Sequence, residues 1–130
     1  MKSILINAQT QEITEIVLSK ENYLKDTYLA IGNECTVVET GVYINEAEAI
    51  MIDEEGYFKE GLLGFTYDGR FFYGNAVIWN CDNEGNAMSC ESTIESIALH
   101  VQWVDAENSA MFRESVLDNP TIIYFNNKQL

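Results

Sequence analysis

The chain opens on two short apolar segments, Lys2–Asn7 and Glu12–Leu18, rich in Ile, Leu and Val and parted by Ala8-Gln9-Thr10-Gln11. Segments of this length and composition predict strands, and the polar break between them predicts an opening hairpin. The period then changes. From Lys20 to Ile31 the apolar residues Leu24, Tyr28 and Ile31 recur at i, i+4 and i+7, with Ser19 at the cap position and Gly32 at the stop. That spacing predicts a helix. From Cys35 the pattern is that of strands: Cys35–Glu39, then Gly41–Ile44 as its continuation or as a new strand, then Ala49–Asp53 closed by Glu54-Glu55-Gly56.

Asp68-Gly69 stands between Phe65-Thr66-Tyr67 and Arg70-Phe71-Phe72-Tyr73. Asp-Gly accepts the positive φ angles of a type I′ turn, so this is the strongest hairpin signal in the chain. Asn75–Asn80 predicts a further buried strand. Ser92-Thr93-Ile94-Glu95 has the form of a capping box, and the helix it opens places Ile94, Ile97, Ala98 and Val101 on one face. Val101–Val104 fits a strand or a helix. Asp105 is placed to cap a last helix carrying Phe112 and Val116, stopped by Asp118-Asn119-Pro120, and Thr121–Phe125 reads as a final strand. The pattern predicts an α+β fold, a mostly antiparallel sheet of five to seven strands with two or three packed helices. With one Pro and no low-complexity stretch, residues 1–130 read as a single domain.

Charge narrows the function classes. Asp and Glu number 21 against seven Lys and Arg, a net charge of -14. Binding to nucleic-acid phosphates or anionic membranes draws on Lys and Arg, so neither is expected as a direct partner. An apolar content of 47 % with seven Tyr, six Phe and two Trp supplies a core, which argues against disorder. No apolar run approaches the roughly 18 residues of a membrane span, and Met1–Asn7 lacks the apolar centre of a signal peptide. Cys35, Cys81 and Cys90 are scattered and odd in number, as expected of buried, reduced thiols in a cytoplasmic protein.

Two segments echo each other. Ile50-Met51-Ile52-Asp53-Glu54-Glu55-Gly56 and Ile78-Trp79-Asn80-Cys81-Asp82-Asn83-Glu84-Gly85 are each an apolar strand running into an acidic, glycine-closed turn. Turn chemistry accounts for both, and neither has the 12-residue ligand spacing of an EF-hand. The order of opening hairpin, short helix, Cys-Thr-Val-Val-Glu strand, the two acidic turns, Gly74-Asn75-Ala76-Val77-Ile78 and a Ser/Thr-capped helix resembles an uncharacterised family of short phage, plasmid and mobile-element proteins, over about residues 1–100. The resemblance implies an accessory protein of a mobile element acting inside a bacterial cell. It brings no reaction, ligand or site residue with it.

Candidate chemistry is sparse. A zinc site needs about four Cys or His ligands with a close pair, whereas Cys81 and Cys90 are nine apart and His100 is the sole imidazole. A Cys–His nucleophile would need His100 beside a thiol. No nucleophile elbow, phosphate-binding loop or dinucleotide fingerprint occurs, so no catalytic residue, metal or cofactor is expected. The aromatics Phe65, Tyr67, Phe71, Phe72, Tyr73, Trp79 and Trp103 read first as core and second as a stacking face for a small nucleotide-like ligand.

The acidic stretch is the sharper signal. Glu34, Glu39, Glu46, Glu48, Asp53, Glu54, Glu55 and Glu60 face only Lys59 between residues 34 and 60. The expectation is a non-enzymatic protein that presents Glu46, Glu48, Asp53, Glu54 and Glu55 as one acidic face. That face would engage a basic surface on a host protein, in the manner of a nucleic-acid mimic.

Overall fold

In the computed structural model of the protein, residues 1–118 are described. Among these residues nine strands form two antiparallel sheets, and three helices accompany them. The strands are β1 (Lys2–Asn7), β2 (Glu12–Val17), β3 (Val38–Tyr43), β4 (Glu48–Asp53), β5 (Gly64–Tyr67), β6 (Arg70–Tyr73), β7 (Ala76–Cys81), β8 (Ala87–Met88) and β9 (Val101–Trp103). The helices are α1 (Tyr23–Ile31), α2 (Ile94–Ala98) and α3 (Ala106–Asp118), with a single 3₁₀ turn at Gly56–Phe58.

The larger sheet runs β2-β1-β7-β4-β3, with β8 paired to the end of β7; the smaller runs β6-β5-β9. Strand alternation builds four layers. Along β7, Ala76 and Ile78 face the smaller sheet, joining Ile4, Ile50, Phe65, Phe72 and Ile97 in the main core. Val77 and Trp79 face the other way, against Ile31, Tyr23 and Tyr28 of α1. Along β6, Phe72 points into the main core while Phe71 and Tyr73 pack beneath Phe112 of α3. Covered on both faces, β7 is apolar at nearly every position, as a central buried strand must be. Fully buried large side chains such as Ile4, Ile50, Phe65, Phe72 and Ile78 each contribute about 1.5–3 kcal/mol by leaving water.

The sequence pattern locates most elements and misplaces some edges. The residues 68–69 hairpin forms as expected, with φ of 50° at Asp68 and 84° at Gly69. Gly41–Ile44 continues the preceding strand: β3 runs through a bulge at Gly41, where an added Cβ would lie 2.7 Å from the Phe72 ring. Helix α1 begins at Tyr23, because Ser19 and Asp26 close a turn ahead of it: the Ser19 amide and hydroxyl both donate to the Asp26 carboxylate, at 2.8 and 2.9 Å. Its inward face carries Thr27 and Ile31, leaving Leu24 45 % exposed. The capping box sits one residue later than expected, on Thr93 and Ser96. Val101–Trp103 is a strand, and Asp105 does cap α3, accepting from the Asn108 amide at 2.7 Å. The predicted stop at Asn119-Pro120 and the predicted strand Thr121–Phe125 lie outside the described residues.

Candidate functional site

Strand β4 lies between the turn bearing Glu46 and the turn bearing Glu54 and Glu55, on which the expected site rests, and both its terminal residues are buried carboxylates. Glu48 is 3 % exposed. Its Oε1 accepts from Asn45 Nδ2 at 2.9 Å and Ser92 Oγ at 2.8 Å. Its Oε2 accepts from Cys90 Sγ at 2.8 Å and from the Glu91 and Ser92 amides at 3.0 and 3.1 Å. No Lys or Arg joins this set. Burial alone would raise the pKa, but the hydrogen bonds from Cys90, Asn45 and Ser92 outweigh it and hold the carboxyl down at about 2. Burial, and then the same contact with Glu48, pushes the Cys90 thiol up to about 12. Glu48 therefore clamps the β3–β4 turn to the loop that leads into α2. Ser92 is drawn into this clamp, and the cap falls to Thr93.

Asp53, 7 % exposed, closes the other end of β4. It takes Lys59 Nζ at 2.6 Å on one oxygen and the Glu55 amide at 2.9 Å on the other. Lys59 also donates to the Asn33 carbonyl at 2.6 Å, tying together the chain after α1 and the segment after the 3₁₀ turn.

The five residues expected to form one acidic face therefore do not. Glu48 and Asp53 are interior. Glu46, Glu54 and Glu55 are exposed, but they lie beyond opposite ends of a six-residue strand about 17 Å long. What does come together is the end bearing Glu34, Glu39, Glu54 and Glu55. Partial burial and then the charge of Glu54 raise the Glu39 carboxyl above its usual range, with Arg70 opposing. Burial and then Asp53, with a further contribution from Glu55, raise the Cys35 thiol. Further exposed carboxylates stand on β2, α2 and α3 (Glu12, Glu15, Glu95, Glu107 and Glu114).

The aromatic stripe divides in the same way. Phe65, Tyr67, Phe71, Phe72 and Tyr73 are core. Trp79 instead walls an open groove of about 250 Å³ on the α1 side of the large sheet, with Tyr23, Tyr43, Met51, Ala49 and Cys81. The indole is fixed by a T-shaped contact to Tyr23 at 5.4 Å and by donation to Thr27 Oγ1 at 2.8 Å. Sequence pattern missed Tyr23 and Tyr43 here, since the first reads as helix face and the second as an ordinary strand residue.

Cys35 and Cys90 are buried as expected, whereas Cys81 is exposed at the end of β7. His100 meets no thiol: its Nδ1 lies 2.6 Å from Asp68 Oδ1, and its ring stacks on Tyr67 at 5.1 Å. No group of three or more metal-ligating side chains converges among the described residues, and no helix there is long and apolar enough to cross a membrane. Compared with known proteins, the chain matches no family model, no curated protein and no solved structure.

Proposed function

We propose that the protein is a non-enzymatic binding protein, an accessory of a phage or mobile element, that captures a host protein through the acidic end formed by Glu34, Glu39, Glu54 and Glu55. A nuclease or another defence component with a basic groove fits this chemistry. One observation carries the reading: Lys59, the sole cation between residues 34 and 60, is held inward by Asp53 and the Asn33 carbonyl. Lys59–Asp53 is also the only Lys or Arg ion pair among the described residues, so the exposed carboxylates keep their field, opposed only at Glu39 by Arg70. Such a field steers a basic partner and makes association salt-sensitive. The mobile-element context rests on the order of motifs in the sequence.

The test is affinity capture from a bacterial lysate by the wild-type chain and two equal-charge variants. Glu34→Lys/Glu54→Lys/Glu55→Lys reverses the acidic end, and Glu12→Lys/Glu15→Lys/Glu107→Lys reverses three anions elsewhere. The expected outcome is a defined partner retained by wild type and by the second variant, lost by the first, and released between about 50 and about 300 mM salt. Equal capture by all three, or equal loss in both variants, removes the proposal.

A second reading is favoured by the groove beside Trp79: a flat apolar ligand of nucleoside size stacked between Tyr23, Trp79 and Tyr43. A ligand that binds only the folded state raises the thermal midpoint by mass action. A rise with nucleosides that disappears in Tyr43→Ala supports this reading, and a flat response across such a panel opposes it.

A further inference from the structure

A second concavity, about 290 Å³, lies where the end of β3 meets the tip of the β5–β6 hairpin. It gathers the only imidazole of the chain with one of its two arginines. The arrangement follows from the fold. The β5–β9 pairing sets Tyr67 opposite Val101, so His100 is carried to the hairpin tip, where the Asp68 amide donates to the His100 carbonyl at 3.0 Å. Val42 of β3 and Ile44 just beyond its end, both packed against the main core, supply an apolar wall.

Three features make this more than a surface dent. The Arg70 guanidinium rests over the Phe72 ring at 5.0 Å, yet it makes no hydrogen bond or ion pair with another described residue in a chain with threefold more anions than cations. Its fork of donors is free for a planar oxyanion. The His100 ring is held on both sides, by Asp68 at Nδ1 and by the Tyr67 face. A carboxylate only accepts, so Nδ1 carries the proton, and in the neutral ring Nε2 is left as an acceptor. Asp68 and Glu39, both close to these groups, select against a bulky polyanion.

From this cleft we infer a binding site for a small planar monoanion that also carries a hydrogen-bond donor, a hydroxy-substituted aromatic carboxylate being the simplest example. The oxyanion meets Arg70, the donor meets His100 Nε2, and the ring lies along Val42, Ile44 and Tyr67. The cleft borders the acidic end at Glu39 and shares Tyr43 with the Trp79 groove, but the two side chains that would hold the ligand, Arg70 and His100, belong to neither.

The test is a titration of the full-length chain with 4-hydroxybenzoate, followed by amide NMR and by the single histidine Cε1–H resonance. Saturable shifts confined to Val42–Ile44, Tyr67–Arg70 and His100 are expected. Benzoate lacks the donor and phenol lacks the anion, and each should bind at least about tenfold more weakly. Arg70→Gln should weaken binding at least about tenfold, and Arg70→Lys should recover part of it as charge without the fork. His100→Phe keeps a ring against Tyr67 and should lose discrimination between 4-hydroxybenzoate and benzoate. No saturation by about 10 mM, equal binding of all three probes, insensitivity to Arg70→Gln, or shifts centred on Trp79 would each overturn the inference.

Discussion

The two ends of β4 bury a carboxylate by opposite means. At Asp53 a lysine comes in from six residues away and matches charge with charge. At Glu48 no cation arrives, and five neutral donors from Asn45, Cys90, Glu91 and Ser92 share the work. A chain with seven cations and 21 anions cannot pair every carboxylate with Lys or Arg. Backbone amides and small polar side chains stand in at Glu48, and their summed hydrogen bonds outweigh desolvation. The comparison also separates carboxylates that hold the fold from those free to meet a partner, a distinction that charge counting along the chain does not make.

Removing Glu48 breaks this comparison most severely. Glu48→Ala strands two backbone amides and three side-chain donors, and a loss of about 3–5 kcal/mol in unfolding free energy is expected by chemical denaturation. The pH dependence has a definite sign. Because the folded value of about 2 lies below the ordinary 4.5, the clamp stabilises the protein fully above pH 4.5 and loses its effect as pH falls towards 2. The shift corresponds to on the order of 3 kcal/mol, and Glu48→Gln should be less stable at neutral pH with a flatter acid limb over that window. An unchanged acid limb would contradict the clamp.

The thiols sharpen the same point. With its thiol held at about 12 rather than 9.0, Cys90 presents about a thousandfold less thiolate than an ordinary cysteine. Iodoacetamide on the native protein should therefore label exposed Cys81 and spare Cys90, as peptide mass mapping would show. At the other end, Lys59→Met leaves Asp53 without its cation but keeps the Glu55 amide bond. The expected loss is smaller, about 1–2 kcal/mol by denaturant melt, since the pair is partly open to solvent. Smallest of all, Glu54→Lys and Glu55→Lys should move stability by no more than about 0.5 kcal/mol while changing partner capture.

Much of the fold was legible because local chemistry and tertiary packing agree: the Asp68-Gly69 turn, the opening hairpin, the cap at Asp105. Where they compete, the sequence pattern misleads. Ser92 has the right identity for a helix cap, but Glu48, 44 residues away, claims its hydroxyl. Leu24 fits the helical period, yet α1 turns Thr27 inward because the Trp79 indole needs its hydroxyl as acceptor. The acidic site was half legible. Asp and Glu look alike along a chain whether they face solvent or a nest of donors, and residues 48–55 carry both kinds within eight positions. The cleft at Arg70 and His100 left no local signal, since it depends on β9 returning to pair with β5.

The separation of holding from presenting carboxylates is tested most directly by following the side-chain carboxyl carbon of Glu48 by NMR as pH is lowered. The account predicts a midpoint at about 2, with the Ser92 and Glu91 amide resonances moving in the same step. A midpoint at the ordinary 4.5, with those amides unaffected, would contradict it.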